Sequence, residues 1–238
     1  MNDDLKLELC RGARLLFRHG LSVGIAGHLS IKIAPDKMIA NRFGPSFGTL
    51  RPADVLTLDL DGNVLEGQGA VNDTIRLHGV IHRVNPDITA LAHTHPPATV
   101  TFSALRTIPE VYDQETCFLA GEIGIVEEDY SFLASKDDRV RPIAEALRKH
   151  RVIILPNHGA VTAGQTIQQA VFLMLLIEMA AQRNISVAVA AQAIGATARP
   201  IAPQVALATK KELVSLNALP MIWQDQMARL AVTDKDLF

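Results

Sequence analysis

Cysteine is scarce here: two in 238 residues, Cys10 and Cys117, far apart in the chain. Neither has the spacing of a zinc or redox pair, and with no export signal in view they point to a reduced, cytoplasmic protein. An excess of basic charge is also missing. Lys and Arg total 23 against 25 Asp and Glu, a net charge of −2 with the signs interspersed, which argues against a nucleic-acid partner. The longest apolar stretch, Ala170 to Ala181, is interrupted by Glu178; it is too short to span a bilayer and reads as a buried helix. The opening Met1-Asn2-Asp3-Asp4 is acidic, with no apolar region of a secretory signal behind it. Low-complexity stretches, linkers and internal repeats are lacking too, so the chain is expected to form one domain. The acidic cluster Glu127-Glu128-Asp129 reads as a solvated turn.

Histidine, by contrast, stands where chemistry can use it. The apolar run Ile88-Thr89-Ala90-Leu91-Ala92 ends in His93-Thr94-His95, between Pro86-Asp87 and Pro96-Pro97. It predicts a short buried strand. Strand side chains alternate faces, so His93 and His95 point the same way and can close on one ion. A second apolar run, Val152-Ile153-Ile154-Leu155, ends in Pro156-Asn157-His158-Gly159. Three imidazoles at two strand ends make a three-histidine metal centre a plausible product of the fold. A strand-end histidine is also commonly satisfied by a hydrogen bond alone, and the sequence leaves both possibilities open.

The remaining pattern alternates strands and helices. An amphipathic helix is predicted over residues 3–19, stopped by His19-Gly20. Strands follow at Leu29–Ile33, Met38–Ala40 and Val55–Asp59, with Asp61-Gly62 turning a hairpin into Val64-Leu65. Asp73 or Thr74 is expected to cap a helix reaching about Arg83. Further helices are predicted from Pro97 to about Leu105, from Arg139 to Lys149, from a Thr166 cap to about Gln192, and from Ala208 to about Ala218. Such a pattern indicates an α/β or α+β sandwich: one mixed or antiparallel sheet covered by helices. His78 and His82 share a helix face, but Gly79-Val80-Ile81 between them lacks the glutamate of zinc proteases; His78 reads as support or packing.

Three stretches taken in order, Gly27-His28-Leu29-Ser30, Leu77-His78 through Asn85-Pro86-Asp87 to His93-Thr94-His95-Pro96, and Asn157-His158-Gly159, resemble the class II aldolase/adducin family. The resemblance spans about residues 5–190 and leaves 191–238 as a C-terminal helical extension of a single 1–238 domain. It implies a mainly antiparallel sheet flanked by helices in a three-layer sandwich. It further implies a homo-oligomer, a tetramer first, with sites between subunits. His93, His95 and His158 would then bind one divalent ion, zinc first with manganese or iron as alternatives. The ion would polarise a substrate carbonyl so that an enolate can form.

Departures from the family pattern narrow the chemistry. Its sugar-phosphate aldolases carry a glutamate four residues before the histidine matching His78; here that position is Thr74. A hydroxyl cannot act as a base near neutral pH. The phosphate-binding turn is altered as well: His28 and Ser30 sit in the first segment and Asn41-Arg42-Phe43-Gly44 in the second. His28, Ser30 and Arg42 are therefore expected to meet substrate, Arg42 by matching a carboxylate with its guanidinium fork. Tyr112, near where the aldolases carry a catalytic tyrosine, is an expected proton handler; Glu115, the best spare carboxylate, is expected either as a base or as a fourth ligand, with water or substrate as the other candidates for that place. The expected activity is a metal-dependent lyase, aldolase or decarboxylase, on a small oxygenated and acidic substrate. A non-haem iron oxygenase and a non-catalytic adducin-like oligomerisation module are the alternatives.

Overall fold

The opening segment carries leucines on one side of a helical repeat, and it folds as α1 (Asn2–Arg18). Gly20, at φ 72°, then turns the chain away, a conformation open to glycine at no steric cost. Alternating apolar residues give the antiparallel strands β1 (His28–Ala34), β2 (Lys37–Asn41), β3 (Val55–Asp59) and β4 (Val64–Glu66). Asp59 accepts from the backbone of Asp61 and Asn63 and so closes the β3–β4 turn. The computed structural model describes residues 2–128, 130 and 137–238.

The helix expected after Asp73 or Thr74 is capped one step earlier. The Asn72 side chain accepts from the Thr74 backbone, opening a 3-10 turn (Asp73–Ile75) that leads into α2 (Arg76–Val84). β5 (Ala90–Thr94) and α3 (Pro97–Leu105) come next, then β6 (Ile123–Ile125), α4 (Asp137–Ala146), β7 (Val152–Leu155) and β8 (Gly159–Gly164). α5 (Ile167–Ile194) starts at the Thr166 cap, whose side chain accepts from Gln169. α6 (Pro203–Ser215) begins earlier than the sequence pattern suggested, with proline at its first turn, where the missing N–H costs nothing. α7 (Ala218–Thr233) lies within the expected C-terminal helical extension, whereas β6 and β8 were not expected. Glu127 and Glu128 are exposed; Asp129 lies outside the described residues.

Among the described residues the strands form one eight-stranded sheet in the order β4-β3-β2-β1-β5-β8-β7-β6. Only the β6–β7 pair is parallel, so the sheet is mainly antiparallel, as expected. Its two faces bury different helices. Leu29, Ile31, Ala90, Ala92 and Ile154 meet α1 and α5 on one side. Leu91, Ile153, Val161 and Ala163 meet α2 and α4 on the other. Each fully buried leucine or isoleucine contributes roughly 1.5–3 kcal/mol. α5 is long and apolar enough to cross a membrane by length and composition, but its first half is core, with Val171, Met174 and Ile177 fully buried.

The alternation within β5 sets the site. Ala90 and Ala92 face α1 and α5, so Leu91 and His93 face α2 and α4. Register then places His28 directly opposite His93, and Ser30 opposite Leu91.

Candidate metal centre

His93 reaches the centre from the buried end of β5, His95 from just beyond it, and His158 from the turn joining β7 to β8. That turn is tight: Asn157 takes a left-handed conformation at φ 56°. β8 lies between β5 and β7 and pairs Thr94 with Ala160, bringing the two strand ends side by side. The histidine ring centroids are 4.6–5.0 Å apart, and one nitrogen from each lies within 4.8 Å of the others.

The donor chemistry fits a divalent ion. His93 Nδ1 donates to the Ala160 carbonyl at 2.9 Å, which leaves Nε2 bare and 3.3 Å from Nε2 of His95. Nitrogens bound at about 2.1 Å in a tetrahedral set stand roughly 3.4 Å apart, so this pair is already at ligand spacing. Burial lowers the pKa of the His158 ring, and a hydrogen bond with the Tyr130 backbone offsets part of that lowering. Burial holds all three rings below the usual imidazole range, His95 at about 4, with the neighbouring histidines adding to the effect on His93 and His95. Neutral imidazole is the ligating form. Among the described residues no carboxylate joins the group.

The centre opens on a cavity of about 140 Å³ lined by Gly27, His28, Thr74, His93, His95 and His158 among others. That is on the order of five water volumes, enough for the reacting end of a small molecule. Below it runs a buried polar row. His28 Nε2 meets Thr74 Oγ at 3.0 Å and its Nδ1 meets His78 Nε2 at 2.7 Å. His78 Nδ1 meets Ser30 Oγ at 2.6 Å, Ser30 Oγ meets His82 Nε2 at 3.0 Å, and His82 Nδ1 meets the Ile88 carbonyl at 3.1 Å. His28 thus lines the cavity with both nitrogens engaged. Ser30 lies beneath it, fully buried. His78, read as support or packing, is a link in this row.

Arg42 stands elsewhere. It pairs with Asp54 at 2.7 Å and lines a larger recess beside Arg14 and Arg51. Tyr112 and Glu115 lie on the segment between α3 and β6, Glu115 exposed at the start of a 3-10 turn, and neither lines the histidine cavity. Glu178, which interrupts the apolar stretch Ala170 to Ala181, has a structural role. Buried on α5, it accepts from the backbone N–H groups of Ala98 and Thr99 and from the Thr99 hydroxyl at 2.8–2.9 Å. It thereby caps α3 and fixes the turn that follows His95. A single acid inside an apolar helix was the available signal.

Known proteins extend the pattern. The chain is 33% identical over 219 residues, covering 85% of itself and 76% of the relative, to the 4-hydroxy-3-prenylphenylpyruvate oxygenase/4-hydroxy-3-prenylbenzoate synthase of Streptomyces roseochromogenus subsp. oscitans. It is 32% identical over 182 residues to Decarboxylase NovR of Streptomyces niveus, covering 70% of itself and 67% of that protein. The solved L-fuculose 1-phosphate aldolase of Glaciozyma antarctica superposes with a TM-score of 0.78 at 26% identity, over 89% of this chain and 82% of that one. Residues 7–185 match the Class II Aldolase and Adducin N-terminal domain. The chain belongs to the class II aldolase and adducin family.

Proposed function

We propose that this protein is a divalent-metal-dependent lyase that removes carbon dioxide or a carbon fragment from a small oxygenated acid. The observation that carries the reading is the set of three convergent imidazoles, with no carboxylate in the group among the described residues, at the floor of a small cavity. Relatives named decarboxylase and aldolase support lyase chemistry. His93, His95 and His158 hold the ion. When bound, a divalent ion supplies Lewis acidity, so that the electron pair left by a departing group is accommodated on the substrate.

The chain's own residues decide which departures suit it. His93 is oriented by the Ala160 carbonyl, so the strand register sets the direction of its free nitrogen. Thr74 lines the cavity where the sugar-phosphate aldolases of the resemblance place a glutamate. Its hydroxyl cannot take a proton near neutral pH. Decarboxylation needs an electron sink but no base to begin, so it survives this replacement better than retro-aldol cleavage does. For returning a proton the chain offers Tyr112 and Glu115, and since both lie outside the cavity of their own chain, that role requires a site shared between subunits of a homo-oligomer, most simply a tetramer. The location we propose is cytoplasmic.

A second reading, a non-haem iron oxygenase, is favoured by the likeness to the 4-hydroxy-3-prenylphenylpyruvate oxygenase of Streptomyces roseochromogenus. The test is elemental analysis of the purified protein, then assay of zinc-, manganese- and iron-loaded samples with and without dioxygen. The substrates are 2-oxo and hydroxy acids alongside fuculose-, ribulose- and methylthioribulose-phosphates. Carbon dioxide or fragment release from an acid without oxygen uptake is expected. Activity only with iron and dioxygen would establish the oxygenase, and a clear preference for a sugar phosphate would sink the acid substrate.

A further inference from the structure

The buried polar row has a direction. The Ile88 carbonyl can only accept, so His82 Nδ1 carries a hydrogen. His82 is almost fully buried and pushed down to about 4 by that burial, so the ring is neutral and its Nε2 is bare. Ser30, 3.0 Å away, must give its single hydroxyl hydrogen to that nitrogen. Its oxygen then accepts from His78 Nδ1 at 2.6 Å. His78 is likewise buried and neutral, so its Nε2 accepts from His28 Nδ1 at 2.7 Å. His28 Nε2 is left bare and takes the Thr74 hydroxyl hydrogen at 3.0 Å. Reversing the row would set the His82 Nδ1 lone pair against the Ile88 carbonyl lone pairs at 3.1 Å, with no hydrogen between them.

The end of this one-way chain is exposed to the ligand. Thr74 has only one hydroxyl hydrogen, and it is committed to His28; the oxygen lone pairs remain beside the cavity. We propose that Thr74 is a specificity-determining residue which presents an acceptor, never a donor, to the ligand, and that His82, Ser30, His78 and His28 are positioning residues that enforce this polarity. The ligand class selected is one that offers an O–H at that place: a hydroxy acid or an enol rather than its ether or a bare carbonyl. A site built to receive a hydrogen rejects an analogue that lacks one, because its own buried acceptor is then left unpaired. This deepens the acid-substrate reading and rests on it for the identity of the ligand, whereas the direction of the chain does not.

The experiment has two parts. Nitrogen-15 NMR of the histidine rings in the protein without added ligand is expected to show His28, His78 and His82 all protonated at Nδ1 and bare at Nε2. In Ser30→Ala the single tautomer at His28 and His78 should be lost, a change that ordinary destabilisation would not produce. An Nε2–H tautomer at any of the three rings in the unaltered protein overturns the chain, whatever the substrate. The second part measures binding of lactate and of 2-methoxypropionate to the metal-loaded protein. Thr74→Val should reduce the preference for lactate by roughly fivefold, the worth of one ordinary hydrogen bond, and Thr74→Ser should retain it. An unchanged preference in Thr74→Val overturns the role of Thr74. Correct tautomers with neither acid bound would sink the acid-substrate reading while supporting the chain's direction.

Discussion

Thr74 is a hydroxyl residue on the wall of the histidine cavity. It borders the same cavity as His93, His95 and His158, yet contributes a neutral oxygen where a carboxylate would add charge. Among the described residues all the candidate ligands are then neutral. Thr74→Glu is expected to tighten zinc or manganese binding on the order of tenfold, about 1.4 kcal/mol, because it adds an anionic oxygen to an imidazole set. Isothermal titration of the two proteins measures this directly. Equal affinities would mean that a side chain at this position does not reach the ion.

The turn between β7 and β8 carries the third histidine and depends on close backbone approach. A Cβ on Gly159 would fall 2.3 Å from the Thr94 carbonyl oxygen and 3.0 Å from the His95 ring. Gly159→Ala must therefore push β8 from β5 or shift His95, at the usual overpacking cost of about 1–3 kcal/mol. Urea unfolding together with zinc stoichiometry should show lower stability and less than one ion per chain; full stoichiometry would show that the centre tolerates the displacement. α2 approaches with equal closeness, since a Cβ on Gly79 would lie 1.9 Å from the Leu60 carbonyl oxygen. That contact seats the helix so that Thr74, His78 and His82 interleave with His28 and Ser30 of β1. The match is geometric: four helical residues rise about 6.0 Å and two strand residues about 6.6–6.8 Å.

The two ends of the molecule are tied together. Arg14 and Arg18 of α1 both bond Asp234, which follows α7 and is almost fully buried, and Arg14 also bonds Asp236. Burial alone would push the Asp234 carboxyl up, but hydrogen bonds from Arg18, Thr233 and Arg14 hold it down at about 2. Its folded value is therefore below the ordinary 3.8, and its contribution is present above about pH 4 and lost as pH falls towards 2. Denaturation midpoints measured from pH 5 to 2 should fall over that window, with a shallower fall in Asp234→Asn; identical slopes would remove this clasp from the acid limb. Assembly can be tested with the proposed site between subunits. Mixing inactive Tyr112→Phe and His93→Ala proteins should restore part of the activity if one subunit's Tyr112 serves another's metal. No recovery in a mixed oligomer confirmed by mass would show that Tyr112 does not serve a neighbouring subunit's metal.

Local pattern was enough for much of this. Apolar runs ending in His93-Thr94-His95 and in Pro156-Asn157-His158 marked two strand ends with imidazoles, and the helical repeat of α1 and the Thr166 cap of α5 are likewise written in short stretches. What joins the strand ends is β8, and it escaped because Gly159-Ala-Val-Thr-Ala-Gly164 is rich in weak strand formers and is buried along its whole length. β7 reaches it through a tight turn, but β5 lies more than sixty residues upstream, and only packing brings that strand to its other side. The polar row had visible periods, four residues on the helix and two on the strand, but no period says which helix lies over which strand. The positions of Tyr112, Glu115 and Arg42 were decided in the same way. Periodicity is a property of neighbouring residues, whereas a site is made by contacts between residues far apart in the chain, and those follow from how the helices and the sheet bury their apolar faces together.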